Sequence, residues 1–189
     1  MEPRLICLIG AECTGKTTLS QALSAQMGGL WVPEYLRAFT IAQGRTPLQT
    51  EQAHILQQQL HLQEATLEQA RQQGCAWVFC DTAPLLTAVY SECVFGDTSQ
   101  YPKALALHAR YALTLFLQPD IPWVADGLQR DGATSRATVH TALERALHAS
   151  GDAKKVVRIE GTPAQRLSAA SAAVAIAIGV DFAERTVRP

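Results

Sequence analysis

Four residues separate Gly10 from Gly15, and Lys16 and Thr17 follow at once. The run Gly10, Ala11, Glu12, Cys13, Thr14, Gly15, Lys16, Thr17, Thr18 therefore has the spacing of a phosphate-binding loop. The chemistry follows from the residue types. Glycines let the chain curl so that successive backbone N–H groups face phosphate oxygens. The helix that follows adds its positive N-terminal end. Lys16 reaches the β- and γ-phosphates, and the Thr17 hydroxyl is placed for Mg²⁺. Such a loop needs a strand before it and a helix after it, and the sequence supplies both, an apolar run at 5–9 and a helical pattern over 17–27. The expected cofactors are ATP and Mg²⁺. The loop alone does not say where the γ-phosphate goes.

Kinases and hydrolases share this loop and differ at the other strand ends, which line the ligand crevice in open α/β sheets. Three charged groups fall there. In "VPEYLRAF", Glu34 follows a short strand and Arg37 comes one helical turn later. The carboxylate suits the proton of an acceptor hydroxyl, and the guanidinium suits phosphate charge. The same pair also reads as an ordinary helix start balanced by a surface arginine. Asp81 ends the apolar run "CAWVFCD" and reads as the carboxylate that holds the Mg²⁺ water shell, or else as a helix cap. Arg130 and Arg136 lie in "DGLQRDGATSR", within a lid expected over 123–136, or in a solvated loop. Neither has an acidic partner at helical spacing, which leaves phosphate as an expected partner. In "EGTPAQR", Thr162 and Pro163 fit the backbone around an adenine ring and fit equally a plain capped turn. Trp31, Tyr35 and Trp123 are candidates for stacking on an acceptor base and are as readily core residues.

A sheet must gather these groups. Strands are expected at 5–9, 30–32, 75–82, 113–120 and 154–161. Helices are expected over 17–27, from just after Pro33, over 46–74, 84–96 and 102–112, beyond the polar lid, and over 162–178. Pro47 suits the first turn of the long helix, Gly74 its end, and its many glutamines a solvated face. Strands alternating with helices predict an open parallel α/β sheet with right-handed crossovers, as one domain over 1–189.

Composition narrows the function. Sixteen basic and seventeen acidic residues give a net charge of −1, which offers no electrostatic footprint for nucleic acid or an anionic membrane. The five cysteines form no C-x-x-C pair and sit mostly in apolar runs, which points to a reducing cytoplasm. The N-terminus runs straight into "LICLIG", so no signal peptide is expected. The apolar stretch 169–180 is too short to span a bilayer.

The segments "GAECTGKTTL", "PEYLRAF", "FCDT" with a following helix that carries Thr87, and above all "WVADGLQRDG", resemble the ribosylnicotinamide kinase domain of NadR-type proteins. The resemblance covers nearly the whole chain in order. It implies the three-layer P-loop NTPase fold, with a five-stranded parallel sheet between helices and a kinase-like site. It implies transfer of the γ-phosphoryl of ATP to the 5′-hydroxyl of nicotinamide riboside, in NAD salvage. Glu34 is then the base, Asp81 and Thr17 serve the metal, and Arg37, Arg130 and Arg136 offset charge on the transferred group. "WVPEYLRAF" and "VFCD" also resemble deoxynucleoside kinases, but those follow the strand-three acid with Arg-Ser, where this chain has Thr82-Ala83. The resemblance does not extend to the adenylyltransferase domain or DNA-binding segment of NadR-type proteins, so neither dinucleotide synthesis nor repression is expected of these residues. Two other readings stay open: a kinase of another small metabolite, and an ATPase or GTPase module that regulates a partner. No spacing fixes the acceptor, the choice of ATP over GTP, or a monomer against a homodimer.

Overall fold

The computed structural model describes residues 2–123, 132–151 and 153–186. In chain order the elements are β1 (Arg4–Ile9), α1 (Lys16–Met27), β2 (Leu30–Val32), α2 (Tyr35–Gln43), α3 (Gln52–Gln73), β3 (Trp77–Asp81), α4 (Pro84–Phe95), α5 (Tyr101–His108), β4 (Leu113–Leu117), α6 (Gly132–Ala149), β5 (Val156–Ile159) and α7 (Pro163–Thr186). The five strands form one parallel sheet in the order β2-β3-β1-β4-β5. Consecutive strands β1 and β2 are not neighbours, so the chain reverses its direction of travel across the sheet around β1. That leaves a crevice at the carboxyl end of β1, where the phosphate loop begins.

Both faces of the sheet are covered, which is why β1, β3 and β4 read as continuous apolar runs. Alternate residues divide between two cores. Cys7, Ile9, Val78, Cys80 and Phe116 face Leu56 and Leu67 of α3, Leu85 and Val89 of α4, and Val139 and Leu143 of α6. Ile6, Leu8, Phe79, Leu115 and Leu117 face Leu19 and Leu23 of α1 and Ala170 and Val174 of α7. The register pairs Leu8 with Asp81 and Ile9 with Phe116, so β1, β3 and β4 end level with one another.

The P-loop three-layer α/β fold is as expected, with four local differences. The long helix does not start at Pro47. A 3-10 turn at Gln49–Glu51 precedes α3, held by the Glu51 carboxylate, which accepts the Leu48 N–H at 2.7 Å and pairs with Arg45. Its glutamines are not all solvated. Gln59 accepts the Tyr35 N–H at 2.8 Å and donates to the Pro33 carbonyl, and Gln63 donates to the Tyr111 hydroxyl at 2.6 Å. Two buried amides, that of Gln59 bonded at both ends, thus fasten α3 to the β2–α2 turn and to Tyr111 just before β4. The segment expected as a lid to 136 is already helical from Gly132, as the start of α6. Finally, α7 continues to Thr186. Among the described residues, no helix is long and apolar enough to cross a membrane.

Candidate active site

The phosphate loop leaves β1 at Ile9 and enters α1 at Lys16. Gly15 precedes the helix at φ 82°, a left-handed conformation that an L side chain resists. Gly10 is required by space: an added Cβ would lie 2.8 Å from Thr14 Oγ1 and 2.9 Å from the Leu117 carbonyl. Lys16 curls back so that its ammonium donates to the Gly10 and Ala11 carbonyls, both at 3.0 Å. Thr14 is buried and donates to the Ala11 carbonyl at 2.8 Å, and Thr18 lies exposed on the first turn of α1.

Asp81 closes β3 directly beside the loop. Its Oδ2 accepts the Thr17 hydroxyl at 2.6 Å. Its Oδ1 is buried without a partner, and the cap position of α4 belongs to Ala83. Asp81 is therefore not a helix cap. Burial pushes its carboxyl up, against the opposing influence of Lys16, the Thr17 hydrogen bond and Arg37. A buried, orphaned carboxylate oxygen next to a threonine hydroxyl fits a hard divalent cation that keeps waters and phosphate oxygens as its other ligands. Thr82, the next residue, takes φ 87° and continues the pairing through its N–H to the Leu8 carbonyl at 3.0 Å. A β-branched residue in that conformation is strained, and no local pattern marks it.

Two buried arginines hold the loop from below. Arg136, in the second turn of α6, donates to the Ile121 carbonyl at 2.9 Å and the Cys13 carbonyl at 3.3 Å. Two of its nitrogens thus have backbone partners that the sequence does not indicate, while its Nε is buried without one. Arg166, which no local pattern marks as a site residue, joins three segments. It donates to Thr14 at 2.8 Å, Gly161 at 2.8 Å and Gln118 at 3.0 Å, all at carbonyl oxygens, and pairs with Asp120. Its sequence signal was only a capped helix start. Thr162 and Gln165 form a reciprocal cap, with the Thr162 N–H on Gln165 Oε1 at 2.9 Å, and Pro163 opens α7. This turn places Arg166 one step into the helix, under the loop.

Across the crevice, Glu34 stands between β2 and α2, half-buried, and its side chain does not cap the helix. Arg37 is exposed one turn on and near enough to Asp81 to favour that carboxylate's ionised form. On α4, the Tyr90 hydroxyl donates to Glu12 Oε2 at 3.1 Å. Burial, then the carboxylates of Glu12 and Glu34, push the Tyr90 phenol well up. Loop, base candidate and α4 thus meet at one place. Arg130 lies outside the described residues. Of the aromatic candidates, Tyr35 packs edge-on against His54, and Trp31 has a buried indole N–H without a partner.

This fold and site define a P-loop nucleotide-binding domain. The AAA domain family model matches residues 5–166, and the chain belongs to that family. It is similar to the NadR protein in a crystal structure with NR, at 25% identity and a TM-score of 0.81, over 94% of this chain and 52% of that one. A NadR structure with NAD and AMP-PNP matches at 23% identity and a TM-score of 0.76, over 94% and 50%. The chain therefore spans about half the length of these NadR proteins and is a NadR-like P-loop domain. A deoxyadenosine kinase from M. mycoides with bound dATP shares the fold at 13% identity and a TM-score of 0.56, over 87% and 95%. No curated protein matches by sequence.

Proposed function

We propose that this protein is an ATP-dependent kinase that phosphorylates the 5′-hydroxyl of nicotinamide riboside, giving the mononucleotide for NAD salvage. What supports this reading is that Glu34 and Glu12 of the phosphate loop both act on Tyr90 while Asp81 accepts from Thr17 of the same loop, on a fold similar to NadR bound to NR. Backbone N–H groups of Gly10 to Thr18 and the Lys16 ammonium hold the triphosphate. The turn at Thr162 and Pro163 borders the adenine. Thr17 and Asp81 hold Mg²⁺, which supplies charge neutralisation at the phosphates when bound. Glu34 accepts the 5′-hydroxyl proton as the acceptor oxygen bonds to the γ-phosphorus and the bond to the bridging β–γ oxygen breaks, releasing ADP. Arg37 and Arg130 offset charge on the moving group, and Arg136 acts through the loop carbonyls that it holds. The domain works in the cytoplasm without a nucleic-acid or membrane partner.

Membership of the AAA domain family favours one second reading, a nucleotide-hydrolysing regulatory module. ADP release measured with and without a panel of nucleosides, sugars and vitamin alcohols decides between them. A kinase releases ADP only with its acceptor, and nicotinamide riboside is the expected one. Release that no acceptor stimulates would establish the hydrolase.

A further inference from the structure

An anion-binding loop is an unfavourable place for a carboxylate, yet Glu12 lies inside this one and is 6% exposed. A charge there repels the triphosphate, so it does not serve ATP. The loop's own cation does not take it up, because Lys16 donates to the Gly10 and Ala11 carbonyls. Its Oε2 is instead held at 3.1 Å by Tyr90 on α4. Glu12 therefore points away from the phosphate side, toward the wall that Glu34 also faces. Thr87 lies one turn before Tyr90 on the same face of α4. It is 7% exposed, and its hydroxyl has no hydrogen-bond partner among the described residues. A hydroxyl without a protein partner that solvent still reaches, on the helix face that carries the phenol holding Glu12, offers a polar surface to a ligand.

We propose that Glu12, positioned by Tyr90 and with Thr87 beside it, recognises the phosphoryl acceptor and makes the site select a cationic nucleoside over a neutral one of the same shape. The inference rests on the kinase reading above and deepens it. Among the described residues, the charged groups at this crevice include the carboxylates of Glu12, Glu34 and Asp81 and the cations Lys16, Arg37 and Arg136; Arg130 lies outside them. Lys16 and Arg136 are committed to loop carbonyls on the phosphate side. Bound ATP adds further negative charge there. A pyridinium ring near Glu12 gains from this field, whereas a neutral dihydropyridine does not. Glu12 would touch the acceptor directly. Tyr90 would be a positioning residue, since its hydroxyl fixes the carboxylate and a phenylalanine leaves its packing in place.

The test is steady-state kinetics with nicotinamide riboside, a cation, and its neutral dihydro form. The intact protein is compared with Glu12→Gln and Tyr90→Phe, and each variant is checked by thermal melting. Glutamine keeps the shape of Glu12 and still accepts the Tyr90 hydroxyl. Glu12→Gln is expected to raise KM for the cation about tenfold, to leave KM for the dihydro form and kcat nearly unchanged, and to leave KM for ATP unchanged or lower. Tyr90→Phe is expected to give the same pattern at about threefold. Equal effects on both nucleosides, or a raised KM for ATP, would overturn the proposal. If Glu12→Gln does not fold, the Tyr90→Phe pattern decides in the same way. An intact protein that turns over neither nucleoside contradicts the nicotinamide riboside reading itself, an outcome distinct from turnover that both variants leave unchanged.

Discussion

The two sides of the crevice are built differently. On the phosphate side the backbone is over-determined: Lys16 holds the Gly10 and Ala11 carbonyls, Arg136 that of Cys13, and Arg166 that of Thr14, while Thr17 is fixed on Asp81. Every one of these groups is buried or nearly so. On the side proposed for the acceptor, Glu34 and Arg37 stand at the start of a nine-residue helix, with Arg37 exposed. Phosphate is the same for any nucleotide, so a rigid backbone cradle suits it. Acceptors differ, and side chains on a less constrained element can be exchanged without disturbing the cradle.

Removing the Lys16 ammonium should have the largest effect. Lys16→Ala is expected to lower phosphoryl transfer to background, about 10³-fold or more, while the cores around α1 and β1 keep their melting behaviour. Turnover within tenfold of the parent would break the nucleotide side of the comparison. On the acceptor side, Glu34→Gln is expected to lower kcat by about 10²-fold with ATP affinity unchanged, because the change removes a proton acceptor and keeps the shape. A loss that appears instead in ATP binding would move Glu34 to the phosphate side.

Stability should divide in the same way. Arg166→Ala leaves three carbonyls and Asp120 without their donor. It is expected to cost about 2–4 kcal/mol in denaturant titration, the upper range being reduced because Asp120 is partly exposed. Arg37→Ala is exposed and should cost little. Equal losses at the two would show that the cradle is not specially braced.

The smallest effect concerns Asp81. Burial raises its carboxyl, so the folded protein keeps that proton to higher pH than the unfolded chain does. Its ionisation therefore weakens folding as pH rises through the raised value, and the penalty vanishes below the ordinary carboxylate range. Asp81→Asn should melt higher than the parent at neutral pH in the absence of Mg²⁺ and ATP, with the gap closing as pH falls below about 4. A variant that melts lower at neutral pH would mean that the carboxylate is structurally satisfied.

Legibility in the sequence follows the same division. The loop, its strand and helix, the strand-end aspartate and the Thr162-Pro163 helix start all have local spacing rules, and each lies where its pattern put it. Arg166 and the Glu12–Tyr90 contact join residues 152 and 78 positions apart, and no local rule connects such positions. The buried glutamines of α3 are not legible locally, because a polar side chain shows a buried partner only once the β2–α2 turn and the α5–β4 connection have been brought against it. The backbone partners of Arg136 are illegible for a related reason. Its partners are carbonyls, which no side-chain pattern records.

In the kinase proposed above, the two sides meet over one transferred phosphoryl group. The most direct measurement is mass spectrometry of the nucleoside product after incubation with nicotinamide riboside and ATP carrying ¹⁸O on the three non-bridging γ-oxygens. Direct transfer predicts nicotinamide mononucleotide carrying all three labelled oxygens, formed in step with ADP. Labelled inorganic phosphate accumulating with ADP, and no labelled mononucleotide, would contradict it.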